Sequence, residues 1–468
     1  MRRVLIICCV ILLCGCKSSL SVAEKDTSSL GEAAGQRVVI YKNITFIQDT
    51  RDIAIEKASG EILIGKIPAT IIPDTVYVDL EEGDDLAIIS QEFNNKIISK
   101  DLLLREYLGR QVSIIDFNKY QDRKEIIEAQ LLSAKNGGIY NIKDEVYLGY
   151  PGYVILPSLP EGYVSQPQLK WNYKSKSLGE RKMKMSYLSG GLSWMAAYVM
   201  KIDGRSETAD IVCWANISNN SGVTFEEADV SLVSGELNVP KQLKAAPVMR
   251  YSMADAEANV MPREEVFEYH LYTIPHKVTL GDISTKQVML LKANNINIEK
   301  KYVAETVRNY YQRHDEVYRN VPVKVVIKTK NSKGLGLGEP LPSGKVRLYE
   351  RREDGAEFFA GEDRIKDIPI DEEVKLTAGS AFDIICKTRQ VDFKQLSKSL
   401  REVTWEIKVS NHKNKDVSVD VIETIRGNWD MINKDHDYEK ISANKIKFTV
   451  KLKPDEEKSI TYTVRVGI

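Results

Sequence analysis

Alternation of apolar and polar residues dominates the chain, and a period of two residues predicts β-strands. In Glu402–Ser410, for example, every second residue from Val403 to Val409 is apolar. One segment, 99–108, has helical spacing and ends at Gly109, as expected for a helix C-cap. The alternation predicts strands over 37–41, 46–56, 61–67, 75–80, 111–116, 125–134, 139–143, 153–156, 182–189, 193–203, 210–218, 228–234, 266–274, 287–292, 323–329, 345–350, 402–410, 417–425, 445–452 and 458–466.

Short strands separated by proline, glycine and asparagine turns are typical of sandwiches and barrels. We therefore expect a mainly β, multi-domain protein of antiparallel, Ig-like β-sandwiches with a small inserted β-barrel. The predicted units are an N-terminal β module over 37–108, the inserted barrel and a linker over 109–165, a first sandwich over 166–320 and a second over 321–468.

Two tryptophan-bearing strands end in a similar sequence pattern, which indicates an internal repeat. The strand with Trp214 ends at Ser218-Asn219 and the strand with Trp405 ends at Ser410-Asn411, and each is followed by a polar turn and an alternating strand. Two similar sandwiches, each burying its tryptophan between sheets, would explain this repeated pattern. Independent use of the same hairpin sequence preferences would explain it as well.

The N-terminus has the pattern of an export signal. Arg2 and Arg3 precede the unbroken apolar run Val4–Leu13. That run is too short to cross a bilayer, which takes about 20 apolar residues. The next residues, Leu13-Cys14-Gly15-Cys16, resemble the lipobox of bacterial lipoproteins.

The lipobox resemblance implies a signal peptide over 1–15, a lipid on Cys16 and a lipidated flexible tether over 16–36 that is rich in serine, glycine and alanine. An ordinary cleaved signal with a chance cysteine is the alternative. Lys17 stands where inner-membrane lipoproteins of Gram-negative bacteria often carry aspartate. The expected location is therefore the cell envelope, lipid-anchored, and the outer membrane if the host is Gram-negative.

Several further segments together resemble mucoidy-inhibitor-A-like proteins, whose C-terminal domain is known only as a domain of unknown function. Long members of that group carry a coiled coil between their two modules, and this chain has the compact insert instead. The resemblance implies the fold and an envelope location, and it supplies no catalytic residues. The segments are 37–41, 67–68, 74–76, 178–194, 219–222, 336–349, 361–363 and 453–456.

Composition narrows the partners and the bonds that are possible. Lys+Arg and Asp+Glu each number 66, and this balance argues against nucleic acid, which needs a basic surface. Of six cysteines, three lie within the signal and Cys16 takes the lipid. The remaining pair, Cys213 and Cys386, could form a disulfide if their Cα atoms lie within about 7 Å. Two buried thiols in separate strands are the alternative.

No motif predicts catalysis, a metal or a cofactor. The glycines before Lys345 lack the spacing of a phosphate-binding loop, and a flexible connection explains them better. Ser193 lacks the second glycine of a nucleophile elbow. His436 lies among aspartates that could hold a divalent cation, although a solvated acidic turn is the simpler interpretation.

Tyrosines cluster with glycine and proline near the predicted linker, at Tyr147, Tyr150, Tyr153 and Tyr163. Exposed aromatic rings of this kind bind sugars or partner proteins, and they also pack joints between domains. The functional expectation is a non-catalytic, lipid-anchored envelope protein with a structural or interaction role. It would contact the membrane through Cys16 and an envelope protein or glycan through its folded domains. The alternative is a glycan-binding protein or a glycan-active enzyme.

Overall fold

The computed structural model describes residues 33–80, 86–118, 123–135, 137–204, 207–235, 237, 263–266 and 269–467. The predicted signal peptide, Cys16 and most of the predicted tether lie outside these residues, although the first strand begins at Ala33, within the range predicted as tether. The strands are β1 (Ala33–Ile40), β2 (Thr45–Ile55), β3 (Ser59–Ile64), β4 (Tyr77–Leu80), β5 (Leu86–Asn94), β6 (Gln111–Asn118), β7 (Arg123–Ser133), β8 (Ile139–Ile142), β9 (Glu145–Leu148), β10 (Tyr153–Ile155), β11 (Gln168–Ser175), β12 (Gly179–Ser189), β13 (Leu192–Asp203), β14 (Thr208–Asn219), β15 (Phe225–Ser234), β16 (Arg263–Val266), β17 (Tyr269–Thr273), β18 (Val278–Leu280), β19 (Ser284–Asn297), β20 (Glu299–Val307), β21 (Arg319–Val321), β22 (Val323–Lys330), β23 (Gly344–Arg351), β24 (Glu357–Ile365), β25 (Glu373–Ser380), β26 (Ile384–Gln395), β27 (Leu400–Asn411), β28 (Val417–Thr424), β29 (Asn428–Lys434), β30 (Glu439–Ser442), β31 (Lys445–Leu452) and β32 (Glu457–Gly467).

Helical structure is confined to short segments in the described part of the chain. The helix α1 (Lys100–Glu106) begins where the sequence predicts it, with the Ser99 side chain accepting a hydrogen bond from the amide of Leu102. Two 3₁₀ turns, Pro73–Thr75 and Lys333–Leu335, connect strands. No helix in this part of the chain is both long and apolar enough to cross a membrane.

Two compact units divide the chain. One includes Thr50–Ile67 and Val78–Lys184, and the other includes Gly35–Asp49, Pro68–Tyr77 and Met185–Ile468. The predicted N-terminal module over 37–108 is therefore split, because its first strands belong to a sheet that later strands complete. Alternation identifies a strand and its buried face, and it carries no information about which distant strand will be its neighbour.

The first sandwich combines early and late strands. One of its sheets runs β16-β17-β15-β1-β2-β12-β4, with β18 also paired to β15. The other runs β19-β14-β13-β23-β24. The indole of Trp194 in β13 crosses between them: its Nε1 donates to the carbonyl of Val233 at 3.1 Å, and its ring meets Tyr272 edge-on at 6.2 Å.

The second sandwich is formed by the sheets β25-β22-β20-β28-β31-β30 and β21-β26-β27-β32-β29. Its core is a continuous apolar cluster drawn from both sheets. Alternation along β27 and β32 places Val403, Ile407, Val464 and Val466 inside this cluster, as the sequence pattern predicts. The mainly β sandwich fold is thus confirmed.

One hairpin belongs to the first sandwich although its neighbours in the chain belong to the second. The hairpin β23–β24 lies between β22 and β25 in the chain, yet β23 pairs in parallel with β13 of the first sandwich, from Ala196 opposite Gly344 to Asp203 opposite Arg351. A Cβ atom at Gly344 would lie 2.2 Å from the Ala196 carbonyl oxygen, so this close approach requires glycine.

Strand order supports the internal repeat. The run β15-β1-β2-β12 in the first sandwich corresponds to β28-β20-β22-β25 in the second, and β19-β14-β13 corresponds to β32-β27-β26. In both, one central pairing is parallel, β1 with β15 and β20 with β28.

Asn219 and Asn411 have the same hydrogen bonds at the ends of β14 and β27. Both are buried. The Nδ2 of Asn219 donates to the carbonyls of Val223 and Leu280, at 2.8 and 3.0 Å. The Nδ2 of Asn411 donates to those of Lys415 and Lys453, each at 2.9 Å. In each case the Oδ1 accepts from the amide two residues later, so the side chain fixes the turn that the sequence predicts.

The prediction that both tryptophans are buried between sheets is right for Trp405 and wrong for Trp214. Trp405 lies in the core with 6% of its surface exposed, whereas Trp214 is 36% exposed. The burial pattern of β14 places Cys213 and Ala215 inward and Trp214 between them outward. Hydrophobicity alone predicts a buried ring at Trp214, whereas the alternation along β14 places this side chain on the outer face.

The compact unit that includes 78–184 contains two smaller sheets. One runs β3-β11-β5, so β11, which was expected to open the first sandwich, pairs instead with two earlier strands. The other runs β10-β6-β7-β8-β9 and corresponds to the predicted insert. It is an open sheet, and the expected closed barrel is not formed. Its inner face packs on Leu104 and Tyr107, so α1 covers this sheet where barrel closure would otherwise bury it.

Candidate functional site

The residues singled out from sequence lie in separate places. The rings of Tyr147 and Tyr150 meet edge-on at 5.7 Å, and both pack against the core of the insert. Tyr163 donates to the carbonyl of Leu102 at 3.3 Å, beside α1. Tyr153 lies on the opposite face of the insert sheet and is 83% exposed. The four tyrosines do not form one binding surface.

The phenol groups of the packed pair are held by carboxylates. The Tyr150 hydroxyl donates to Asp116 at 3.0 Å, and the Tyr147 hydroxyl donates to Glu145 at 3.0 Å. Burial, together with the Asp116 hydrogen bond, raises the pKa of Tyr150. Hydrogen bonding to Glu145 raises the pKa of Tyr147. These two rings therefore pack within the insert itself.

The two predicted disulfide partners are not joined. Cys213 lies in β14 and Cys386 in β26, in different sheets, and both side chains are buried. Burial raises the pKa of the Cys386 thiol to about 12. The arrangement matches the alternative of two buried thiols in separate strands.

The acidic turn around His436 has partners of its own. Asp435 accepts hydrogen bonds from the amide of Thr461, and His436 Nδ1 lies 2.8 Å from Asp435 Oδ1. Asp437 pairs with Lys434 at 2.6 Å, and this hydrogen bond lowers the pKa of Asp437. Within the described residues, no group of three or more His, Cys, Asp or Glu side chains is arranged to hold a metal ion.

The glycine-rich connection before Lys345 is pinned by side chains, although the sequence suggests a flexible loop. The Nδ2 of Asn331 donates to the carbonyl of Glu339 at 2.7 Å, and its Oδ1 accepts from the amide of Gly338. Tyr198 donates to the carbonyl of Pro342 at 2.6 Å. The connection therefore forms a fixed wall where β23 begins.

That wall borders a groove of about 650 Å³ on the first sandwich, which we call the cationic groove. A volume of this size lies within the range of ligand pockets, about 300–1,000 Å³. Its residues come from the β1–β2 turn, the starts of β13 and β23, the ends of β14, β15 and β24, and the segment after β24. They are Lys42, Asn43, Ser193, Trp194, Met195, Ala196, Ala197, Asn216, Ser218, Val233, Ser234, Gly235, Pro342, Ser343, Gly344, Lys345, Arg347, Arg364, Ile365 and Asp367.

Strand register explains the cluster of positive charge in the groove. Lys345 of β23 lies opposite Arg364 of β24, and Arg347 lies two residues along the same face. Lys42 reaches the groove from the β1–β2 turn. Glu362 outside the lining balances part of this charge, at 3.1 Å from Arg347 and 3.7 Å from Lys345.

The groove has one carboxylate, Asp367, and its Oδ1 is occupied. This oxygen accepts hydrogen bonds from the Ser234 hydroxyl and the Ser343 amide, each at 2.7 Å. Asp367 therefore fixes the end of β15 to the start of β23. The groove holds four cations and one anion among its lining residues, so its electrostatics favour an anionic ligand.

Apolar side chains continue the groove along the outer sheet face. Met195 and Met289 are exposed, and Trp214 lies beside them, opposite Ala197 on one side and Met289 on the other. Contiguous exposed apolar groups next to charged ones are typical of binding surfaces. Ser193 and Gly344, which the sequence offers only as parts of failed catalytic motifs, both line this groove.

A buried polar network lies inside the second sandwich. The Arg308 guanidinium donates from Nε and Nη2 to the two oxygens of Glu423, at 2.7 and 2.6 Å. Thr306 donates to the same carboxylate, and Tyr310 does so at 3.3 Å. The Arg308 Cζ lies 4.1 Å from the centroid of the Trp405 ring.

The opposite charges of Arg308 and Glu423 stabilise each other inside the sandwich. Burial opposes the charged guanidinium, but attraction by Glu423 outweighs it and raises the pKa of Arg308. Burial and the Glu423 charge both raise the pKa of Tyr310 well above its ordinary value. Glu423 is fully buried, so the network ties β20 and the segment after it to β28 and is structural.

Residues 183–467 match the model of a protein family whose description is "Domain of unknown function (DUF4139)". The match begins within β12 and ends with β32, so it covers β13–β32, and β1 and β2, which complete the first sandwich, precede it. The cationic groove lies within the matched range except for Lys42 and Asn43. No curated protein matches the chain.

Proposed function

Because the chain belongs to the family of the domain of unknown function DUF4139, whose description names no activity, we propose a function from its own residues. It is a lipid-anchored, non-catalytic protein of the cell envelope that binds an anionic partner through the cationic groove. The observation that carries this proposal is the local charge: a chain with equal numbers of acidic and basic residues concentrates four cations and one anion in a single groove.

The groove supports binding better than catalysis. Glycoside hydrolysis, the enzymatic alternative, uses two carboxylates about 5–10 Å apart. Asp367 is the one carboxylate in the lining, and its Oδ1 already accepts two hydrogen bonds. The hydroxyls of Ser193 and Ser218 and the amides of Asn43 and Asn216 would bind polar groups of the same ligand. Among the alternatives, an acidic glycan of the envelope fits this chemistry.

The anchoring part of the proposal rests on the N-terminal sequence. Leu13-Cys14-Gly15-Cys16 has the residues and spacing of a lipobox after an apolar run, and the serine-rich residues that follow would form a tether. The resemblance of the later segments to mucoidy-inhibitor-A-like proteins supports the same envelope location.

Binding is tested with the full chain in detergent and polygalacturonate as an acidic glycan, with dextran as the neutral control. We expect the chain to bind polygalacturonate and not dextran, with affinity falling as salt rises. Arg364→Glu should weaken binding at least about tenfold, since a like charge then faces the ligand. Lys451→Glu, the same charge change on an exposed residue of β31, should leave affinity within about twofold. Equal effects of both variants would contradict the groove as the site.

Anchoring is tested by labelling cells with an alkyne-bearing fatty acid. We expect label in the chain and its recovery with membranes, and Cys16→Ser should abolish both. Ser19→Ala, a neighbouring change that spares the cysteine, should keep both. A Cys16→Ser chain that stays with membranes and keeps its label would contradict the lipid anchor.

A further inference from the structure

The insert sheet β10-β6-β7-β8-β9 carries apolar side chains on both faces. The inner one is covered: Val112, Ile114, Ala129 and Leu131 pack with α1 in one buried cluster. The outer one carries the alternate residues of the same strands. An antiparallel sheet with one covered face normally presents polar residues on the other.

The outer face is apolar across three neighbouring strands. Tyr153 of β10, Ile115 of β6 and Ile126 of β7 lie side by side in register. Ile126 is 68% exposed and Tyr153 is 83% exposed. Phe117 and Ile155 flank this row on the same face and are exposed as well. We call these five residues the outer patch. Contiguous exposed apolar side chains of this kind mark an interaction site.

The charges that border the outer patch are complementary to themselves. On β7 the outer residues read Lys124, Ile126, Glu128. A twofold axis through Ile126 would lay the β7 strands of two copies antiparallel across the interface. Lys124 of each copy would then lie opposite Glu128 of the other, and the ion pair would form twice. Such self-complementarity is what a symmetric dimer interface requires.

We propose that the outer patch binds the outer patch of a second copy of this chain, face to face about Ile126. Sheets that pack in this way lie about 10 Å apart, a distance that facing isoleucine, phenylalanine and tyrosine side chains fill. Glu128 is positioned for the contact, since the Ser113 hydroxyl donates to it at 3.0 Å. The dimer does not depend on the cationic groove or on its ligand.

The first test uses the symmetry of the axis, where a residue meets its own copy. Ile126→Cys in the full chain, in membranes and treated with a short bis-maleimide, should give a covalent dimer. Phe382→Cys, on a residue that is 94% exposed in the second sandwich, is the control and should stay monomeric. The native Cys213 and Cys386 are buried and should not react. Equal yields from both variants would show random collision and overturn the proposal.

The second test is a charge swap in the Ile126→Cys background. Lys124→Glu places two glutamates opposite each other at both ends of the axis, and Glu128→Lys places two lysines there. Each should lower the dimer yield at least about tenfold at limiting crosslinker. The double variant Lys124→Glu/Glu128→Lys restores opposite charges and should recover the yield. Unchanged thermal midpoints would show that the variants fold.

Two further results would overturn the proposal. One is a double variant as weak as either single variant, since the facing of Lys124 and Glu128 would then be wrong. The other is a monomeric Cys16→Ser chain that floats with neutral phosphatidylcholine vesicles and loses flotation when Ile126→Asp is added, since the outer patch would then contact lipid. Loss of polygalacturonate binding in Arg364→Glu would be unaffected by either result.

Discussion

Replacing Arg308 with methionine should destabilise the second sandwich strongly. The fully buried Glu423 receives two hydrogen bonds from Arg308, at 2.7 and 2.6 Å. Arg308→Met removes both and leaves a carboxylate without a countercharge. Breaking a buried pair in this way costs about 3–5 kcal/mol. Because the hydroxyls of Thr306 and Tyr310 still donate to Glu423, we expect the lower end, about 3 kcal/mol.

The pair itself contributes much less than this. Replacing both partners, as in Arg308→Met/Glu423→Leu, removes the desolvated charge together with its partner, and such exchanges are often neutral or stabilising. We expect the double variant to lie closer to the native chain than Arg308→Met alone. The difference measures the coupling between the two residues.

The assay is urea unfolding of the full chain at neutral pH, with hydrogen exchange of the peptide that contains β28 to assign the transition. About 3 kcal/mol is a large part of an ordinary unfolding free energy of 5–15 kcal/mol. Arg308→Lys is the matched control, because it keeps the charge and loses the two-point contact. A loss under about 1 kcal/mol in Arg308→Met, or a double variant at least as unstable as the single one, would refute this account.

Three other predictions concern the fold. Asn219→Ala and Asn411→Ala should each cost about 1–3 kcal/mol of unfolding free energy, because each leaves two turn carbonyls without their donor; similar losses support the repeat, and a neutral result at either site contradicts it. The pKa of Cys386 is raised to about 12, so as pH rises the thiol loses its proton in the unfolded chain before it does so in the folded chain. The free energy of unfolding is therefore retained below about pH 9 and falls by about 1.4 kcal/mol per pH unit above pH 9. Cys386→Ala should show a shallower decline in urea titrations between pH 9 and 11, and an identical slope would contradict the assignment. Gly344→Ala should cost about 1–3 kcal/mol, since its Cβ would lie 2.2 Å from the Ala196 carbonyl; wild-type thermal stability would show that the β13–β23 approach is looser than described.

Local sequence signals predict many individual elements. The alternation over 402–410 corresponds to β27, and the helical spacing over 99–108 corresponds to α1. These features depend on neighbouring residues, whose spacing is visible in one sequence. The strands β5, β9, β20, β24, β25 and β26 are among those that the sequence pattern does not predict. In β5 and β9 most side chains are exposed, so no clear inward set is visible. In β26 the inward positions include the polar residues Thr388 and Gln390, which hide the alternation.

Long-range pairings were beyond the sequence. Nothing in Gly344–Arg351 indicates that this strand joins β13, whose paired residues lie 148 positions earlier, and the hydrophobic pattern is satisfied by many partners. The cationic groove could not be predicted for the same reason. Lys42, Lys345 and Arg364 come together only through the pairing of β23 with β13 and the position of the β1–β2 turn. Trp214 is exposed because alternate residues of β14 point inward and Trp214 lies between two of them. Its hydrophobicity alone suggests the opposite.

Photocrosslinking in living cells tests the central claim, binding of an envelope partner through the cationic groove, most directly. A photoreactive residue at Met195, exposed in the groove, is compared with one at Lys451, exposed on β31. We predict a discrete crosslinked product from position 195 that digests as an acidic glycan, is absent from position 451, and is lost with Arg364→Glu. The same product from both positions, or a product at position 195 that survives Arg364→Glu, would contradict the account.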